Sequence, residues 1–202
     1  AVVPVLDSWV EATGEPCFAM PLIEGRTLRS ELRGKAWDGE PAAALMEELG
    51  AALAAVHQAG VVHRDVKPEN VLLRGDGSPL LIDFGTSGLL GSDEPQAMTR
   101  VLAGSWEYLA PERLTGVYSA ASDVYGLGAI AFEVVSGKKL AESGMGIARE
   151  GMAERVERWI GRGRRETAEL IAMAVDPLPE RRPVEVEAWA KSLGEALRRE
   201  RF

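Results

Sequence analysis

Apolar side chains recur at helical spacing in several stretches of the chain and gather into short runs between them. The clearest helix is predicted from Asp38 to Gly60, where Leu45, Leu49, Leu53 and Val56 fall on one face with Met46 and Ala52 beside them. Pro41 sits near its first turn and Gly60 closes it. From Ser122 to Ser136 the residues Val124, Leu127, Ile130, Ala131 and Val134 make a helix too apolar on several faces to lie at a surface. Two more helices are predicted over about 167–175 and 184–199, and Thr27 can cap a short one from Leu28 to Arg33.

The remaining apolar runs read as strands. Val2 to Glu11 and Cys17 to Ile23 are rich in Val, Leu, Trp, Phe and Ile, and the turn Thr13-Gly14-Glu15-Pro16 between them predicts a hairpin, after which Gly25 breaks the pattern. Val71-Leu72-Leu73 and Leu80-Leu81-Ile82 are brief strands joined by Gly75-Asp76-Gly77. From Gly85 to Gly104 no periodicity is visible, and connections of that length are uncommon unless they are functional. The pattern gives an α+β fold: a mostly helical body of residues 24–202 behind a little sheet, with residues 1–23 hanging off its front.

Composition narrows this picture. The chain has 202 residues, 46% hydrophobic and 27% charged, the balance of one packed globular domain. A formal net charge of -8 argues against nucleic acid or anionic lipid as partners. No apolar run approaches the roughly 20 residues of a membrane span. The single Cys17 rules out an internal disulfide and fits a reducing, cytoplasmic location. The basic cluster Arg162, Arg164 and Arg165 is expected to be a solvated helix end.

Candidate chemistry concentrates between residues 63 and 85. Asp65, Lys67 and Asn70 share one loop, and Asp83 ends a strand just before Gly85. Two carboxylates, a carboxamide and a lysine suit a nucleotide phosphate with Mg²⁺, a hard ion that takes oxygen ligands. Phosphoryl transfer needs positioning and charge neutralisation more than covalent help, and this set can supply both. The order is specific: His63-Arg64-Asp65, then Asn70, then Asp83-Phe84-Gly85, then Ala110-Pro111-Glu112.

By these motifs the chain resembles the eukaryotic-like Ser/Thr protein kinases of bacteria, from about Val2 to the final helix, and the resemblance implies a protein-kinase-like fold. It also implies ATP and Mg²⁺ (or Mn²⁺) as cofactors and a protein substrate. Asp65 would be the catalytic base and Lys67 would stabilise the transferred phosphoryl group. Asn70 and Asp83 would hold the metal ions, while His63 and Phe84 pack behind the site. Met20 corresponds to the residue at the back of the adenine pocket, Leu22 to the hinge and Leu72 to the pocket floor. Without the family these three are core apolar residues. Asp123 looks like the buried aspartate that bonds the catalytic-loop backbone, or else a carboxylate at a helix N-terminus. Arg182 matches the arginine paired with Glu112. Arg64 is typical of kinases switched by phosphorylation in the segment from Asp83 to Glu112, with Thr99 the leading site and Ser105 where relatives bond the catalytic Asp and Lys. Thr86, Ser87 and Ser92 are weaker candidates.

No Gly-x-Gly-x-x-Gly precedes the hinge and no lysine precedes Lys35, so the chain is expected to be a large lobe with the last two strands of a small one. Little activity is expected of these residues alone, and self-association through the orphan strands or the activation segment follows as an expectation. A membrane anchor beyond Phe202 is compatible with a cytoplasmic domain. Two other readings remain open: a kinase-like scaffold without phosphotransfer, and a small-molecule phosphotransferase of related fold.

Overall fold

The structure, a computed structural model, describes residues 2–14, 16–84, 88–89, 106–143 and 151–200. Strands β1 (Asp7–Val10) and β2 (Pro16–Ala19) pair antiparallel, with Trp9 opposite Cys17 and Ser8 opposite Phe18. The pairing is shorter than the apolar run suggested. Pro4 and Pro21 lie outside the strands, where proline's missing N–H costs no ladder bond. Upstream, Val2 forms an isolated bridge to Leu81, and the Val3 amide donates to the Leu81 carbonyl at 3.2 Å.

Gly25 does not end the strand pattern but begins β3 (Gly25–Thr27), which pairs with β5 (Val71–Arg74), itself paired with β6 (Pro79–Leu81). Thr27 then caps α1 (Leu28–Leu32), its hydroxyl accepting from the Ser30 amide. In β5 the side chains alternate. Val71 and Leu73 turn into the core and Leu72 lies half-buried on the other face.

The helical body is built around α3 (Ala120–Ser136), buried from Ser122 to Val135, as its all-round apolar pattern requires. Helix α2 (Gly39–Gln58) buries Leu45, Leu49, Leu53 and Val56 and lies against α6 (Val186–Arg199). That approach needs glycine: a Cβ on Gly50 would lie 2.2 Å from the Ala190 Cβ. Helices α4 (Met152–Ile160) and α5 (Arg165–Ala174) complete the body. Helix α4 was not anticipated, although Met152, Val156 and Ile160 stand four apart and are all buried.

The basic cluster needs correction at one residue, since Arg162 and Arg165 are exposed as expected. Arg164 is not solvated but buried at the start of α5, where its Nη2 meets Asp38 Oδ1 at 2.7 Å. Burial pulls its pKa below the usual arginine value, and the Asp38 carboxylate opposes that loss of charge. Among the described residues no helix is long and apolar enough to cross a membrane.

Candidate active site

Short strands fix both ends of the loop that carries the candidate chemistry. Strand β4 (Val61–Val62) pairs with β7 (Gly88–Leu89), β5 begins at Val71, and residues 63–70 turn between them. Pro68 opens a 3-10 turn, Pro68–Asn70, and the Asn70 amide donates to the Lys67 carbonyl at 3.0 Å. Within this turn three polar side chains converge. Lys67 Nζ lies 2.7 Å from Asp65 Oδ2, and Asn70 Nδ2 donates to the same oxygen at 2.9 Å and to the Asp65 carbonyl at 2.8 Å. The Asn70 amide nitrogen is thereby committed to Asp65, which leaves its Oδ1 as the atom suited to a cation.

The backbone before Asp65 is held by a buried carboxylate from α3. Asp123 accepts from the His63 amide through Oδ2 and from the Arg64 amide through Oδ1, both at 2.8 Å, and His57 Nε2 lies 2.9 Å from Oδ2. The α3 backbone comes equally close. A Cβ on Gly126 would lie 2.6 Å from the Val66 carbonyl oxygen, so only glycine lets the helix approach the loop.

His63 is a second brace. Its Nδ1 accepts from the Asp65 amide at 3.2 Å and its Nε2 faces the Ile82 carbonyl at 3.0 Å, which assigns the proton to Nε2 of a neutral ring. Burial holds its pKa below the ordinary histidine value against the opposing pull of Asp123. The Phe84 ring stands 4.6 Å away, tilted by 54°. Asp83 follows β6 at φ +64, an uncommon conformation outside glycine, and its residue is exposed.

Glu112 and Arg182 form the bidentate pair, at 2.6 and 2.8 Å, and Ser122 Oγ donates to Glu112 at 2.8 Å. Burial works against the Glu112 charge, but Arg182, a backbone hydrogen bond and Ser122 together outweigh it, so the carboxyl titrates below its usual range. Of the adenine-pocket candidates, Met20 is 48% and Leu22 97% exposed, so neither is the core residue that its apolar character suggests. Met20, Phe18, Val3, Asp83 and Phe84 line a cleft of ≈ 620 Å³, and neither Leu22 nor Leu72 reaches it. Thr99, Ser105, Thr86, Ser87 and Ser92 lie outside the described residues.

One polar network had no sequence signal. Arg29 on α1 meets Glu69 Oε1 at 2.7 Å and Glu133 Oε1 at 2.6 Å, and Tyr108 hydrogen-bonds both Arg29 and Glu133. Burial, then the Glu133 carboxylate, pushes the Tyr108 hydroxyl pKa well up, while Arg29 stays firmly charged because its two carboxylates outweigh its desolvation. The network ties α1 and α3 to the turn Pro68–Asn70. Its bonded partners are 25 to 104 residues apart in sequence, which is why pattern reading missed them.

Comparison with known proteins accords with this geometry. The protein kinase domain family matches residues 1–187 of the chain. The serine/threonine-protein kinase PknK of Mycobacterium tuberculosis is 35% identical over 211 residues, covering 98% of this chain and 18% of the relative. The kinases PknL and PknA of the same species are 41% and 40% identical over 140 and 136 residues, or 68% and 66% of this chain. The chain spans 34% of PknL and 31% of PknA, so it matches only a part of each of these relatives. Family match, relatives and the loop from His63 to Asn70 agree, and the chain belongs to the protein kinase domain family, with the bacterial serine/threonine kinases as its kin.

Proposed function

We propose that these residues carry phosphotransfer from ATP to Ser or Thr hydroxyls of a protein. The observation that carries the reading is the Asp65 carboxylate, held by Lys67 at 2.7 Å and Asn70 at 2.9 Å inside a braced loop. The family uses ATP with a divalent metal, and bound ATP supplies the phosphoryl group. Asn70 through Oδ1 and Asp83 through its carboxylate are oxygen donors that fit Mg²⁺ or Mn²⁺. Such a small ligand set suits an ion that keeps waters and substrate phosphates around it. Asp65 orients the acceptor hydroxyl and takes its proton, and Lys67 neutralises negative charge beside it.

Residues 1–23 serve as small-lobe elements and residues 24–202 as the large lobe, with Met20, on the wall of the cleft, beside the adenine. Arg64, Thr99 and Ser105 serve regulation of the activation segment. The protein acts in the cytoplasm, and the exposed apolar side chains of β1 and β2 support self-association, which light scattering would read as a dimer.

The test is transfer of labelled phosphate by the protein as its gene encodes it. Asp65→Asn keeps the Lys67 and Asn70 contacts nearly isosteric and should lower turnover roughly 10²- to 10⁴-fold without loss of fold. An Asp65→Asn protein that labels substrate at the normal rate removes the mechanism and favours a non-catalytic scaffold.

A further inference from the structure

Arg64 stands immediately before Asp65 with φ +70, a left-handed conformation that a branched or long side chain adopts at a cost of about 1–2 kcal/mol. Such a bend persists only where its surroundings fix it. Asp123 secures its amide side, as described. The carbonyl side is secured from elsewhere: Arg113 Nη1 donates to the Arg64 carbonyl oxygen. This bond crosses from the segment after Ala110-Pro111-Glu112 to the peptide group that joins Arg64 to Asp65.

A third residue completes the clamp. The Arg113 guanidinium lies 4.5 Å from the centroid of the Tyr118 ring, and the Arg64 guanidinium lies 5.0 Å from the same centroid. Two like charges crowded around one ring repel, and the negative face of the ring offsets part of that repulsion. Arg113 also lines one small cleft together with Arg64, Asp65 and Asp123. Its own position is fixed because its neighbour Glu112 is stapled to Arg182 and Ser122.

We infer that Arg113 and Tyr118 are positioning residues: Arg113 holds the left-handed peptide before Asp65 by its carbonyl, and Tyr118 holds the Arg113 and Arg64 guanidiniums. The inference rests on Asp65 being the base of phosphotransfer. It adds a mechanical route from the Glu112–Arg182 staple, through Arg113, to the Asp65 backbone. Misplacing a reacting group by about 1 Å can cost on the order of 100-fold in rate.

The experiment measures kcat, the ATP KM and amide hydrogen exchange over residues 62–66 in the gene-encoded protein, with Asp65→Asn as control. Arg113→Met keeps side-chain length and loses the donor. It should lower kcat roughly 10- to 100-fold, leave the ATP KM within about twofold and raise exchange at the loop, with the thermal midpoint little changed. Arg113→Lys, which keeps a cationic donor, should recover much of the lost rate. Tyr118→Leu should lose more than Tyr118→Phe, since the ring and not the hydroxyl is used. If Arg113→Met unfolds, Arg113→Lys against Tyr118→Leu decides: equal losses in both, with no change in loop exchange, overturn the clamp. Normal kcat and normal exchange in Arg113→Met, beside an inactive Asp65→Asn, overturn the inference alone. An active Asp65→Asn overturns the mechanism beneath it.

Discussion

The loop of residues 63–70 and the leading hairpin invert the usual rule of burial. In the loop and its supports His63, Arg64, Asn70 and Asp123 are buried, whereas in the hairpin Trp9, Val10, Phe18 and Met20 stand about half exposed or more. Polarity alone would assign them the other way. The difference lies in partners. The His63, Arg64 and Asp65 amides, the His63 ring and the Asn70 carboxamide each meet a donor or acceptor at hydrogen-bond distance, so their desolvation is compensated. Strand β1 pairs with β2, and every residue of β1 is exposed. The buried polar loop is therefore expected to be held more firmly than the apolar hairpin.

The largest expected effect tests that claim at Asp123. Asp123→Ala removes the acceptor for two buried amides and leaves His57 without its carboxylate. Leaving buried donors unpaired costs about 1–3 kcal/mol each, so a loss of about 3 kcal/mol or more is expected in chemical denaturation. Asp123→Asn, which keeps one carbonyl oxygen, should lose less. A loss below about 1 kcal/mol for the alanine variant would mean that the loop is held by packing and not by this carboxylate.

How much of this was visible in the sequence follows the same division. The order of His63-Arg64-Asp65, Asn70, Asp83 and Glu112 marked the site because its chemistry is local and fixed in spacing. Helices α2 and α3 were visible because their apolar periodicity is long, and Asp123 and Arg182 were singled out by resemblance to the family pattern. What sequence could not give was pairing at a distance. Arg164 looked like a solvated charge because its partner Asp38 lies 126 residues away. Arg29, Tyr108, Glu133, Arg113 and Tyr118 gain meaning only when three separate segments meet. Helix α4 escaped because Gly151 at its start offers no side-chain cap and only three apolar residues mark its face.

A second, middle-sized effect sharpens the comparison through pH. His63 is buried neutral, with Nδ1 accepting from Asp65, so protonating Nδ1 would cost that bond. Its folded pKa lies below the unfolded value of 6.5. Below pH 6.5 the unfolded chain therefore binds the proton first. The histidine's contribution is fully present above 6.5 and is lost as pH falls from there through the lowered folded value. The slope reaches at most about 1.4 kcal/mol per pH unit. Urea midpoints of the native protein should fall more steeply between pH 6.5 and 5 than those of His63→Gln. Parallel curves would mean that the imidazole already carries its charge in the folded state.

The smallest effects belong to the hairpin, where they carry the most diagnostic weight. Trp9 shares its face of the ladder with Cys17, while Phe18 lies on the other face and lines the cleft with Met20, Asp83 and Phe84. Because Trp9 is about half exposed on a strand whose residues are all exposed, Trp9→Ser should change stability by no more than about 0.5 kcal/mol. Phe18→Ser removes apolar surface from a cleft wall and should cost about 1 kcal/mol, still well short of the Asp123 variant. The ranking matters more than either value. If Trp9→Ser costs as much as Asp123→Ala in the same denaturation experiment, the hairpin is as firmly held as the loop. Its exposed apolar face would then be packed in solution against a surface that the chain itself does not supply.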